Sequence, residues 1–117
     1  RSDLVKQVQE KLTECREKLA LKVYSSAEQY YKLGYYDAAA VYYNVVLDEH
    51  YDSKFSPMAQ YYLGECYRHM RKPVEALEAF RKMADKFPNH ELAGKARQRI
   101  TQLEQAAPAA GAAGGKP

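Results

Sequence analysis

Cys66 and His69 stand one helical turn apart, and that spacing is half of a transition-metal site. A structural zinc site needs four ligands. The other thiol, Cys15, lies far upstream with no histidine beside it at ligand spacing. His50 and His90 fall where helices are expected to end, positions at which an imidazole caps or is simply solvated. The chain has no His-Glu-x-x-His, no glycine-rich phosphate loop and no nucleophile elbow. Its 15 carboxylates are scattered among 18 lysines and arginines, so no acid–base pair separates from the rest. The expectation is a chain that is not an enzyme and has no cofactor, no metal and no small-molecule substrate.

Bulk properties narrow the class further. A length of 117 residues holds one domain, and 46% hydrophobic residues can bury a thin core. The net charge of +3 comes from lysines and arginines interleaved with acids along the whole chain. That is a solvated surface, and it argues against a nucleic-acid partner. Cys15 and Cys66 fall within expected helices and read as buried free thiols. No apolar run approaches a membrane span, and no leader segment is recognisable. The chain starts at Arg1 almost directly in a helix, and it reads as a piece of a longer protein.

The elements that position these side chains follow from a ladder. Leu63-Gly64, Tyr67, Ala76, Phe80 and Pro88 carry the spacing of a tetratricopeptide helix–turn–helix unit. A weaker copy precedes it: Ala27, Tyr30, Gly34, Tyr36, Ala39, Tyr43 and Val46. Small residues at Ala27, Ala39, Gly64 and Ala76 let paired helices approach, and Tyr43 and Phe80 fill the space between pairs. From Ala39 to Ala76 the step is three residues longer than the usual period of about 34, and the surplus is assigned to the Asp52–Phe55 loop. The expected fold class is therefore all-α, a tetratricopeptide-repeat helical solenoid of about five helices.

Ser2 to Leu33 contains neither Gly nor Pro, and its apolar residues recur at steps of three and four. The spacing predicts one long helix, stopped by Gly34, with Ser2 as its N-cap. Its N-terminal half extends beyond its own pair and needs a separate partner for its apolar stripe. Further helices are expected over about 36–50, 57–70, 73–86 and 91–105, with Ser56-Pro57 as N-cap and N1 of the third. The domain is expected to span 1–105, with repeats at about 20–53 and 57–90 and a polar-faced cap at 91–105. Residues 106–117, nearly all Ala, Gly and Pro, read as a disordered tail.

Solenoids of this kind hold other proteins along the exposed side of each first helix. That geometry places Leu21, Tyr24, Glu28, Tyr31 and Lys32 on a partner groove, followed by Met58, Tyr61, Glu65, Arg68 and His69. Tyr30, Tyr36, Tyr43 and Tyr67 occupy core positions instead. A rival reading pairs the stripe Leu4–Leu19 with its own copy in a coiled coil, for which the stripe is short.

The stretch Cys15–Ala20, the run Ala27–Ala39, Val46-Leu47 through Tyr51-Asp52-Ser53, and Ala59–Tyr67 together resemble the C-terminal half of the BamD family. These are the outer-membrane lipoproteins of the β-barrel assembly machinery, and the likeness covers about Leu4 to Leu103. It implies a helical scaffold on the periplasmic face of the bacterial outer membrane. It also implies a protein partner, the membrane-proximal POTRA domain of BamA, and membrane attachment only through a lipid anchor outside this chain. Many members carry an arginine where this chain has Tyr42, which adds Tyr42 to the partner-binding residues. Tyr51 and Val23 also depart from the family pattern, at a usual proline and a frequent acid. The alternative is another periplasmic adaptor of tetratricopeptide type, similar to CpoB, binding an envelope protein or peptide.

Overall fold

A computed structural model of the chain describes residues 2–115, with side chains described through Ala106. Five helices follow in order: α1 (Ser2–Lys32), α2 (Tyr36–Glu49), α3 (Ser56–His69), α4 (Pro73–Lys86) and α5 (Ala93–Gly115). There is no strand among the described residues. Each helix packs against the next in sequence, so the chain is an all-α solenoid built from nearest-neighbour contacts.

Two tight turns make the hairpins, and both are made the same way. After α1, the Tyr35 N–H donates to the Tyr30 carbonyl and the Gly34 N–H to that of Tyr31, with Gly34 at φ +85°. After α3, the Lys72 N–H donates to Tyr67 and the Arg71 N–H to Arg68, with Arg71 at φ 61°. Each is a Schellman stop, satisfying carbonyls that the helix end would orphan. A left-handed backbone suits Gly34 and strains Arg71. Arg71→Gly is therefore expected to raise unfolding free energy by about 1 kcal/mol, read by urea denaturation. An unchanged or lower midpoint would show that the arginine side chain compensates.

The connections between hairpins are longer, residues 50–55 and 87–92. The first is stitched into the core. Phe55 is buried and stacks on Tyr24 at 5.2 Å between centroids. The Glu17 carboxylate accepts the Lys54 N–H at 3.3 Å. Ser56 does not serve as the N-cap of α3: Phe55 holds that position, and Ser56 and Pro57 are the first helical residues. The Ser56 hydroxyl instead donates to the carbonyls of His50 and Tyr51, which ties the loop to the helix it enters.

One core cluster joins α1, α2 and α3 through Ala27, Ala39, Tyr43, Val46, Ala59 and Cys66. A second joins α3, α4 and α5 through Tyr61, Ala76, Phe80, Met83 and Ala96, with Leu92, Ile100 and Leu103 against it. At Gly64 the close approach is direct, since a Cβ built there would lie 2.6 Å from Cε1 of Phe80.

Three expectations need correction. Cys15 is exposed, while Cys66 is buried, and both are free. Helix α5 starts at Ala93, later than Glu91, with Leu92 packed just ahead of it. It then runs to Gly115, through residues read as an unstructured tail. Six alanines between 106 and 113 favour helix there, against Pro108 and the glycines that follow it. The last two residues of that tail lie outside the described region. In α1, Ala20 is the first buried residue, and Leu4, Val8 and Leu12 before it are at least half exposed. Among the described residues no helix is long and apolar enough to cross a membrane.

Candidate partner-binding surface

Tyr31 ends the buried face of α1, Tyr36 opens α2 and His69 closes α3. The two Schellman turns bring these three helix ends to one side of the molecule. The His69 imidazole stacks on Tyr36 at 4.3 Å with planes 6° apart. Tyr31 meets both edge-on, Tyr36 at 5.4 Å and His69 at 6.1 Å. Tyr62 backs Tyr31 at 5.3 Å and carries the aromatic chain inward to Tyr43 and Tyr61. His69 and Lys32 are exposed, and Tyr31, Tyr36 and Arg68 are half-buried. The result is a firm aromatic patch with a basic border, suited to a protein partner.

Beneath it sits an ion network. Glu65 is buried, and its carboxylate receives Arg68 from the same helix at 2.8 Å (Nε to Oε1). Arg99 of α5 reaches it with one terminal guanidinium nitrogen at 3.2 Å from Oε2. The Tyr61 hydroxyl donates to Oε2 at 3.3 Å. Arg99 Nε also lies 3.2 Å from Oε1, but off the line a hydrogen bond requires, so that contact is an ion pair only. Burial alone would raise the Glu65 carboxyl. The hydrogen bond and charge of Arg68, then those of Arg99, outweigh burial and hold it below its usual value. Glu65 is thus ionised and spoken for.

The candidate groove residues therefore separate. Tyr31, Lys32, Arg68 and His69 share the surface patch. Glu28 is half-buried beside Tyr24, whose phenol is raised by burial first and by the Glu28 charge second. Tyr24, Tyr61 and Glu65 are not open groove residues as expected but buried ones. The cause is what lies over them: Phe55 covers Tyr24, α4 packs Phe80 on Tyr61, and the capping helix α5 lays Arg99 on Glu65. Tyr42 stacks on Tyr30 at 5.4 Å, and Tyr30 also meets Tyr35, a separate aromatic group.

Two residues of this site escaped the sequence. Tyr36 reads as core by repeat position, and its stack on His69 joins residues 33 positions apart in different helices. Arg99 gave a usable signal: it lies between Ala96 and Leu103 on the inward stripe of α5, and an arginine there calls for a buried acid. The Cys66–His69 pair does not form a ligand site. Burial first and the Glu65 charge second push the Cys66 thiol up to about 12, so it stays neutral in the core while His69 faces outward. Among the described residues, no group of three His, Cys, Asp or Glu is placed to hold a metal. Partial burial, then the nearby Arg68 charge, lowers the His69 pKa. Its ring is accordingly expected to titrate below an ordinary histidine by proton NMR, and a midpoint above 6.5 would contradict the packing on Tyr36 and Arg68.

Residues 58–90, which take in α3 from Met58 onward, α4 and the turn between them, match the tetratricopeptide repeat family. No curated protein matches the chain. The repeat match and the five-helix architecture agree on a tetratricopeptide-like solenoid, a fold that typically serves as a non-enzymatic scaffold for binding proteins.

Proposed function

We propose that this chain is the docking half of a BamD-like component of outer-membrane β-barrel assembly, on the periplasmic face of the outer membrane. In this reading it holds the membrane-proximal POTRA domain of BamA through Tyr31, Lys32, Tyr36, Arg68 and His69. The observation that carries the docking role is the Tyr36–His69 stack, which fixes three helix ends into one aromatic and basic surface. The run Ala27–Ala39 and the Cys15–Ala20 segment support the family. Repeats at about 20–53 and 57–90 with a cap beginning near residue 91 form the scaffold. The rival, a CpoB-like adaptor, uses the same surface for a different envelope protein.

Titration calorimetry with purified BamA POTRA domains tests this reading, with a dissociation constant on the order of micromolar expected. Lys32→Glu with His69→Glu is expected to weaken binding about tenfold, with a small drop in melting temperature because the His69 ring leaves its stack on Tyr36. No heat at high micromolar concentration would overturn the BamA assignment. Capture of a different envelope protein that is lost in the same double variant would favour the rival.

A further inference from the structure

Arg68 stands between two acceptors. On its inner side Nε donates to Glu65 Oε1 at 2.8 Å and Nη2 to Oε2 at 3.4 Å. On its outer side the same Nη2 lies 3.5 Å from Nε2 of His69. A guanidinium carries donors only. The His69 nitrogen that faces it is therefore the acceptor, and the ring proton sits on Nδ1. The position stacked on Tyr36 thus suits a neutral imidazole. A proton added at Nε2 would remove the acceptor and set a second cation against the first.

Of these two groups, only His69 is free to yield. Arg68 is held by Glu65, which is buried and tied in turn to Arg99 of α5 and to the Tyr61 hydroxyl. His69 is exposed, ends α3, and is held by its stack on Tyr36 and its edge contact with Tyr31. The charges that act on the ring are Arg68 and Glu65 from its own helix and Arg99 from α5. Glu65 is the one acid among them, and two arginines already share its charge. From α1 and α2 the ring meets two phenols. Burial first and the Glu65 charge second push the Tyr31 phenol up, so it stays neutral. Lys32, beside Tyr31, adds only positive charge. Asp37, beside Tyr36, turns its carboxylate to the Ala38 N–H at 2.8 Å. No free acid in this set compensates a charged imidazole. Partial burial first, and the Arg68 charge second, disfavour that charged form in place.

We propose that His69 is a proton-operated latch on the docking surface: when the imidazole takes up a proton, Arg68 drives the ring off Tyr36 and the surface opens. An imidazolium would gain from the face of Tyr36. It keeps that face only by staying against Arg68. Turned outward, it recovers water and distance from the guanidinium, while Arg68 keeps Glu65 as its partner. The consequence for binding rests on the docking role proposed above. A partner seated on the stacked form holds His69 neutral, so its affinity falls as pH drops through the His69 midpoint.

The latch is read on the free chain by proton NMR, following the His69 and Tyr36 ring signals from about pH 8 to about pH 5. His69→Gln and Tyr36→Leu identify the two sets of signals. In the wild type the Tyr36 signals are expected to lose the ring-current shift of the stack in step with protonation of His69, with one shared midpoint. In Arg68→Gln the His69 midpoint is expected to move up, and the Tyr36 signals to hold steady through it, because the ring protonates in place. Tyr36 signals that stay unchanged through the wild-type titration overturn the proposal. So does an unmoved His69 midpoint in Arg68→Gln. Should that variant unfold because Glu65 loses a partner, the wild-type titration decides. Calorimetry with POTRA domains reads the consequence separately. Affinity is expected to fall several-fold from about pH 7.5 to about pH 5.5, and to lose this dependence in His69→Gln. A flat affinity beside a coupled NMR step overturns the release of the partner. Absence of POTRA binding at every pH overturns the docking reading, and the NMR step still decides the latch.

Discussion

Phe80→Ala is expected to lower the unfolding free energy by about 3–5 kcal/mol. Phe80 is fully buried and sits where α3, α4 and α5 meet, against Tyr61 at 5.5 Å and over Gly64. Truncation removes the ring and leaves a cavity that three helices are too closely packed to close. The companion substitution is Gly64→Ala. In an unobstructed helix it would gain about 1 kcal/mol. Here its Cβ would fall 2.6 Å from the Phe80 ring, so a net loss of about 1–3 kcal/mol is expected. Gly94→Ala serves as the control, because a Cβ there meets nothing within 4 Å. In the Phe80→Ala background, Gly64→Ala is expected to become neutral or stabilising, since the clash is gone. Chemical denaturation of the four variants reads this cycle, and additive losses would refute the contact as its origin.

The second large effect is expected at Glu65. Glu65→Ala leaves Arg68 and Arg99 facing one another and strips the buried Tyr61 hydroxyl of its acceptor. A loss of about 3 kcal/mol follows, on the order of 10 °C in melting temperature. The arginines keep some access to water, at 31% and 24% side-chain exposure, which places the loss at the lower end for buried pairs. The pH dependence has a definite sign. Arg68 and Arg99 hold the folded carboxyl below its ordinary value of 4.5, against the upward push of burial. The stability this contributes is fully present above the unfolded pKa and is lost as pH falls through the folded one. Wild-type protein is therefore expected to lose stability on acidification below about 4.5, and Glu65→Gln to lose less over the same window. Parallel acid profiles for the two would show that the network contributes nothing.

Both predictions concern residues whose types were plain in the sequence and whose surroundings were not. Gly64 and Phe80 were legible as a close approach and a filler because the repeat spacing pairs them. Glu65 was legible only as an acid on the outer side of a first helix. What changes its role is Arg99, 34 positions later and on another helix. Tyr24 and Tyr61 were misplaced for the same reason: a helical wheel reports which way a residue points from its own axis, and it is silent on what is stacked over that side. The Ser56 hydroxyl shows the limit at short range too, since Ser-Pro is a good N-cap signal that lost to the carbonyls of His50 and Tyr51.

The sequence by itself determined the helices, the two hairpins and their tight turns. Apolar steps of three and four and a glycine after α1 act within a few residues, so they need no tertiary context. It also determined the long, half-uncovered α1. The tertiary structure alone decided which of the candidate groove residues face solvent. Burial of Tyr61 and Glu65 comes from α5 lying across them, and the exposed patch comes from His69 meeting Tyr36. Those are contacts between separate helices, and their energy appears only once the helices have docked.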